Sequence, residues 1–262
     1  MSAPSIIYLC INLPRSEDRR QSIAQQAERI GIRIELVEAI AGADLPPVAP
    51  GYDSKARRRC YSQDLMINEQ ACVLSHIKAL RTFVNSGADY GLIMEDDAML
   101  ADNFAAGLEE LLHHWQGWEV AKLYNTPDIG KLYPVVDAPV AGAAVTPVFP
   151  KKLLWGAVGY LYTRRGAEKL LAGLQSFSLA ADALIGATLL ELRIPTIGIT
   201  PAIMLTYDPN NEQSSIDPGK ERVLKKPKRS LAQYIFYRLS VWKVTLGKWR
   251  MRRMMRRLLR HI

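Results

Sequence analysis

The stretch IIYLCINL (residues 6–13) is β-rich and almost uninterruptedly apolar. A strand with one wet face alternates, so a run of this kind marks a strand covered on both faces, as in the parallel sheets of α/β proteins. It is too short to span a bilayer, no basic residue precedes it and no small-residue cleavage site follows. It therefore reads as a first strand and not as a signal peptide, which points to a reducing, cytosolic compartment. The motif of strand followed by helix then recurs. Ser16 stands as N-cap to a helix with a stripe of Ile23, Ala27 and Ile30 and a terminating Gly31, and IRIELVEAI is a second strand. NEQACVLSHIKALRTFVNSG forms a helix with Ala71, Leu74, Ile77, Leu80 and Val84 on one face, and YGLIM is a third strand. A Leu-rich helix over 103–115, a strand at EVAKLYN and a strand at LLWGAVGYLYT follow. Helices at RRGAEKLLAGL and AADALIGATLLELRI and a last strand at IPTIGITPAIML complete the series. This alternation predicts an α/β sheet with helices on both faces. With 262 residues and 48% hydrophobic content, the chain can bury one sizeable core. Residues 41–64, first Pro- and Gly-containing and then basic (KARRRCYSQD), read as a loop that orders over a ligand. Cys10, Cys60 and Cys72 are odd in number and widely spaced, which excludes a disulfide scaffold or structural zinc site as the organising element.

YGLIMEDDAML sets Glu95, Asp96 and Asp97 directly behind the third strand. In open α/β sheets, ligands bind outside the carboxyl ends of the strands. Carboxylates on one tight turn can bind a hard divalent cation, which in turn bridges the phosphate oxygens of a nucleotide. The alternative is an acidic surface turn beside a helix N-terminus. Acids after an apolar strand also occur in phosphohydrolases and P-loop enzymes. Here, however, no G-x-x-x-x-G-K-[ST] is present, and no G-x-G-x-x-G follows the first strand.

Three stretches in this order and spacing, INLPRSEDRR, NEQACVLSHIKAL and LIMEDDAML, resemble glycosyltransferase family 25. That family comprises bacterial lipooligosaccharide glycosyltransferases related to the collagen galactosyltransferases. LWGAVGYLYTRRGAEKLL and the helix from AADALIG extend the resemblance over roughly residues 6–216. It implies a GT-A-like mixed sheet, a nucleotide-sugar donor (usually UDP-galactose), Mn²⁺ or Mg²⁺, and inverting transfer to a saccharide. Alternatives are the same fold with UDP-glucose or UDP-N-acetylglucosamine, or a non-catalytic nucleotide- or nucleic-acid-binding protein.

The resemblance makes Asp97 the direct metal ligand, with Glu95 a second ligand or, like Asp96, a contact to the ribose or a metal-bound water. Asn12, Arg15 and Arg19 lie where the first strand opens into its helix. An Arg fork suits phosphate and Asn suits the polar edge of uracil, against the plainer reading of a solvated helix start. The match also turns Ser75 and His76 toward the donor, and Glu69 shares their helix. Cys72 and His76 stand one turn apart, but with no orienting acid a Cys–His nucleophile pair is rejected in favour of packing. Inverting transfer needs a carboxylate to take the acceptor hydroxyl's proton. Asp182, at the start of a helix, matches a family acid; a first-turn capping role is the alternative. Trp155 and Tyr160 are either sugar-stacking or core residues, and Gly156 and Gly159 allow close backbone approach to the donor. Many enzymes of this fold carry a late histidine ligand, but the late histidine here is His261. Asn211, Gln213 and Ser214, in DPNNEQSSI, occupy the corresponding place as metal or pyrophosphate contacts.

The net charge of +8 is unevenly spread. Residues Lys220 to Ile262 hold 15 Lys and Arg against Glu221 alone, or +14, leaving −6 for the remainder. The boundaries expected are thus a catalytic domain over 1–219 and a basic amphipathic tail over 220–262. In LGKWRMRRMMRRLLRHI, Met251, Met254, Met255, Leu258, Leu259 and Ile262 make an apolar stripe largely opposite Arg252, Arg253, Arg256, Arg257 and Arg260, and upstream YIFYRLSVWKVTL adds aromatics suited to a membrane interface. The tail is expected on an anionic membrane surface, with the protein peripheral on the cytoplasmic face of the inner membrane beside a lipid-anchored oligosaccharide acceptor. Helix–helix oligomerisation is the second reading. Nucleic acid explains the arginines but not the stripe and is not expected.

Overall fold

The computed structural model describes residues 4–125, 132–136, 142–207 and 229–259. Strand β1 (Ile6–Asn12) leads through α1 (Glu17–Ile30) to β2 (Ile34–Glu38), a short α2 (Ser54–Cys60) and the long α3 (Ile67–Ser86). Then come β3 (Tyr90–Glu95), β4 (Ala98–Leu100), α4 (Phe104–His113), β5 (Val120–Lys122), β6 (Leu132–Pro134), β7 (Thr146–Pro150) and β8 (Gly159–Thr163). Helices α5 (Arg164–Gly173) and α6 (Ala181–Glu191), strands β9 (Thr196–Thr200) and β10 (Met204–Thr206), and helix α7 (Leu231–Leu258) complete the order.

Eight strands form one mixed sheet in the order β2-β1-β3-β8-β5-β9-β7-β6, and β4 pairs with β10 in a separate two-stranded ribbon. β2, β1 and β3 run parallel, with Ile11 paired to Val37 on one side and Glu95 on the other. β8 is antiparallel to β3 and to β5. The apolar runs are buried on both faces, as their composition requires. Leu9, Ile11 and Ile93 face α3, α5 and α6, whereas Cys10, Leu92 and Met94 face the layer of α1 and α4. The expected α/β sheet with helices on both faces is present.

Four local expectations change. KARRRC is a helix, because Asp53 caps its start by accepting from the Ala56 N–H at 2.8 Å and the entry and first turn of α7 satisfy its far end. There Arg229 donates to the Cys60 carbonyl, and Gln233 to those of Arg58 and Tyr61. LLWGAVGYLYT is a strand only from Gly159; Leu153–Val158 form turns and extended loop, with Gly156 at φ +70°. IPTIGITPAIML divides into β9 and β10, which belong to different sheets. β6 and β7, in a Pro-rich region, had no strand signal. The fifth change concerns the tail. Met251 (2% exposed), Met255 (0%) and Leu259 are buried in the same core as α4, Trp115 and Trp118, so these three pack against the body, whereas Leu258 of the same stripe is 42% exposed.

Candidate active site

The carboxyl ends of β1, β2 and β3 open into a cleft. Its walls are the 39–42 loop after β2, the N-terminal turns of α3 and the acid turn after β3, and Arg15 and Arg19 stand at its mouth. Two hydrogen bonds explain the shape. The Ser75 hydroxyl accepts from the Ile40 N–H (2.9 Å) and donates to the Ala71 carbonyl (2.8 Å), which pins the loop to α3. At Gly42 a Cβ would lie 2.2 Å from Asn68 Oδ1 and 3.1 Å from the Asn68 backbone nitrogen, so a larger residue would require Asn68 to move.

The three acids have distinct surroundings. Asp96 is held by the Asn12 amide (2.8 Å) and the Arg19 guanidinium (3.0 Å), which tie the turn to the start of α1. Glu95 lies 3.2 Å from His76 Nε2, and its backbone N–H donates to the Val158 carbonyl. Asp97 accepts through Oδ2 from the Thr206 hydroxyl (2.8 Å), while its Oδ1 is buried and accepts no hydrogen bond among the described residues. Burial, reinforced by the Glu95 charge, pushes the Asp97 carboxyl up to about 7, against a partial lowering by Thr206. The Cys72 thiol, close enough to His76 and Glu95 for all three ligand atoms to lie within 4.8 Å, is pushed up well above its ordinary value by burial and by Glu95 and Asp182. That opposes thiolate formation, although Glu95 is the acid beside His76 that the sequence did not show.

Asp182 sits in the first turn of α6, away from the cleft wall. One carboxylate oxygen accepts from the Gly156 N–H (3.1 Å) and the other from the Ala183 N–H (2.7 Å). Each oxygen retains lone pairs. Gly156 is required twice over: its φ is in the left-handed region, and a Cβ would meet the Tyr124 ring at 2.8 Å.

The structure therefore brings Arg15, Arg19, Ser75, His76, Glu95, Asp96 and Asp97 together and pairs Asp182 with Gly156. Three assignments are corrected in their geometry. Asn12 is buried and braces Asp96 and Ser16, so it presents no edge to a base; Ser75 is spent on the loop; and Glu69 caps the start of α3 by accepting from the Met66 N–H (2.9 Å). Asn211, Gln213 and Ser214 lie outside the described residues. Of the two aromatics, Tyr160 is core, stacked on Tyr162, and Trp155 is exposed. Sequence reasoning missed Thr206, Tyr207, whose ring carries the Arg19 guanidinium at 5.7 Å, and Lys122. Lys122 had one signal, a lone lysine in the apolar stretch VAKLY.

The profile of glycosyltransferase family 25, described as LPS biosynthesis protein, matches residues 6–185. This chain belongs to glycosyltransferase family 25. The matched segment contains the cleft, the acid turn and Asp182, and ends before β9, β10 and α7. Among curated relatives, procollagen galactosyltransferase 1-B of Xenopus laevis is 28% identical over 172 residues, covering 62% of this chain and 27% of the relative. Procollagen galactosyltransferase 1 of Danio rerio is 25% identical over 171 residues, with the same coverage. A glycosyltransferase 25 family member of Drosophila pseudoobscura pseudoobscura is 28% identical over 172 residues, covering 62% of this chain and 26% of the relative. The chain thus spans about a quarter of the length of the relatives it matches.

Proposed function

We propose that this family 25 glycosyltransferase moves galactose from UDP-galactose to a saccharide of a lipid-anchored oligosaccharide, with inversion at the anomeric carbon. The observation that carries the reading is Asp97, a carboxylate whose buried Oδ1 has no hydrogen-bond donor among the described residues, beside a second carboxylate, Glu95. Such an oxygen set fits a hard divalent cation, Mn²⁺ or Mg²⁺. Asp97 and Glu95 would hold it; His76 Nε2 lies 3.2 Å from Glu95, in a group of ligand atoms with Cys72 that does not include Asp97. When bound, the ion supplies positive charge against the diphosphate that departs.

The protein's own groups do the rest. Arg15 and Arg19 line the cleft mouth and offer guanidinium donors to phosphate oxygens. Asp96 fixes Arg19 while leaving it at that mouth. Asp182 takes the proton of the attacking acceptor hydroxyl, its orientation set by the Gly156 and Ala183 N–H groups. The procollagen galactosyltransferases among the relatives favour galactose as the transferred sugar.

The membrane reading keeps the upstream part of the tail, where the aromatics of α7 are exposed. Leu231, Ile235, Leu239, Trp242 and Trp249 are exposed at helical spacing, interleaved with Arg238, Lys243, Arg250 and Arg253. This amphipathic, basic surface suits an anionic bilayer and would bring the cleft to a lipid-anchored acceptor. Among the described residues no helix is long and apolar enough to cross a membrane.

Hydrolysis of UDP-galactose, UDP-glucose and UDP-N-acetylglucosamine, with and without Mn²⁺, tests the proposal. Metal-dependent turnover with UDP-galactose preferred is expected, and no metal-dependent turnover of any of the three refutes it. Asp182→Asn should abolish transfer while UDP still binds; loss of UDP affinity would instead place Asp182 on the donor side.

A further inference from the structure

Lys122 is 1% exposed in the short central strand β5, yet it carries an amine. Burial lowers that amine to about 7, against the partial support of the Asp182 and Glu95 charges, with Lys248 opposing. A buried ammonium is costly unless its hydrogens are used. Here the Nζ donates to the carbonyls of Trp155 and Lys152. Two more side chains grip the same segment: Asp182 accepts from the Gly156 N–H, and Lys248 of α7 donates to the Lys151 carbonyl at 2.6 Å. The other end of the segment is anchored by Val158, whose carbonyl accepts from the Glu95 N–H.

What this bracing presents to solvent is one indole. Trp155 is 63% exposed, whereas Trp115 and Trp118 are buried, and among the described residues its ring has no aromatic or cation–π contact. A loop fixed by three side chains from β5, α6 and α7 would need none of them merely to leave a tryptophan in water. Trp155 adjoins Gly156, whose N–H is on the Asp182 carboxylate, and it stands three residues from Val158, at most about 10 Å of chain from the partner of the acid turn. Its backbone belongs to the Asp182 side of the site, not to the cleft between the 39–42 loop and α3.

We infer that Trp155 is a stacking platform for a pyranose ring of the acceptor saccharide, and that Lys122 is the positioning residue which holds that platform beside Asp182. The C–H face of a pyranose lies on the indole, and its hydroxyls remain free to meet the carboxylate. The inference rests on the transferase reading and supplies its acceptor subsite.

The test has two arms. In the first, lactose, cellobiose and chitobiose are titrated against the full chain without donor, with tryptophan emission as the readout. A saturable change is expected with at least one of the three, and it should vanish in Trp155→Phe if the response comes from this ring. In the second arm, whichever sugar is glycosylated is used for kinetics. Trp155→Ala should raise the acceptor KM about 3- to 10-fold, Trp155→Phe should recover most of that loss, and acceptor-independent hydrolysis of UDP-galactose should be unchanged. Lys122→Met should raise the acceptor KM in the same way with donor hydrolysis retained, and a folded Lys122→Met with wild-type acceptor KM removes the positioning role.

No emission change with any of the three sugars, in a protein that hydrolyses UDP-galactose, overturns the platform while leaving the transferase reading intact. An unchanged acceptor KM in Trp155→Ala does the same. If Trp155→Ala loses affinity for anionic vesicles and keeps its saccharide response, the ring belongs to a lipid-facing surface and the proposal is wrong. If no UDP-sugar is hydrolysed, the transferase reading fails, and the emission arm still decides whether Trp155 binds sugar.

Discussion

Asp97→Asn in the metal-free protein separates a metal ligand from a surface acid through stability alone. The Asp97 carboxyl is raised from 3.8 to about 7, first by burial and then by Glu95. A group raised on folding holds a proton that the unfolded chain has released between about pH 4 and pH 7. The folded state is therefore favoured below that window, and the advantage is lost as pH rises through about 7. Three pKa units at 1.36 kcal/mol each set a ceiling of about 4 kcal/mol. Because Glu95 and Asp96 share the same field and the turn can relax, about 2–4 kcal/mol is the realistic range. Asparagine removes the charge and keeps the size. At pH 8 without metal, Asp97→Asn should therefore melt above wild type, by roughly 5–10 °C for a chain of this length. At pH 5 the gap should shrink to roughly a third of its value at pH 8, closing only toward about pH 4. Mn²⁺ in excess should reverse the order at pH 8, since a ligand that binds only the folded state stabilises it by RT ln(1 + [L]/Kd). Turnover should fall at least about 100-fold in Asp97→Asn. Differential scanning fluorimetry at two pH values, with and without Mn²⁺, reads all of this. A variant no more stable than wild type at pH 8, or one stabilised by Mn²⁺ as strongly as wild type, would refute the reasoning.

Met255→Ala should cost about 2–5 kcal/mol in chemical denaturation, because a fully buried side chain is deleted from the core; Trp242→Ala, 62% exposed, should cost less than about 0.5 kcal/mol. Equal effects would mean that α7 is not packed as described. In vesicle sedimentation, the double variant Trp242→Glu, Trp249→Glu should lose binding to anionic liposomes without a change in melting temperature. Wild-type binding should weaken with salt as the Debye length shrinks from about 10 Å at 0.1 M to about 3 Å at 1 M. Gly156→Ala should lower transfer sharply and destabilise the fold by about 1–3 kcal/mol, from a positive φ and a Cβ 2.8 Å from Tyr124; wild-type transfer in this variant would show that the loop adapts freely.

The fold was legible where the pattern is local. β1 and β3 declare themselves by unbroken apolar runs, and α3 by its periodicity and Gly87. The acid turn was legible too, because three acids behind a buried strand need a reason. Elements that depend on distant partners were not legible. α2 looked like a loop because the helix over its end begins more than a hundred residues later. The strand expected through LLWGAVGYLYT begins only at Gly159, because Lys122, Asp182 and Tyr124 hold Trp155 and Gly156 in a turn that the apolar pattern does not announce. Asn12 and Ser75 have side chains suited to a ligand, and only the positions of Asp96 and Ile40 show that they are already occupied. The tail's methionines scan as a membrane stripe because periodicity marks an apolar face without saying what covers it.

The seating of Met251, Met255 and Leu259 in the same core as Cys10 has a consequence for synthesis. The first strand leaves the ribosome early, but the layer that covers its α4 face is finished only when residue 259 has cleared the exit tunnel. At about 5–20 residues per second, the interval after the family-matched segment has been made lasts several seconds. During that time the core that holds Trp115 and Trp118 lacks Met251, Met255 and Leu259. A nascent chain with such an open seam is a client for a holdase, and a ribosome stalled before α7 should release a species that is captured or degraded instead of a smaller active enzyme.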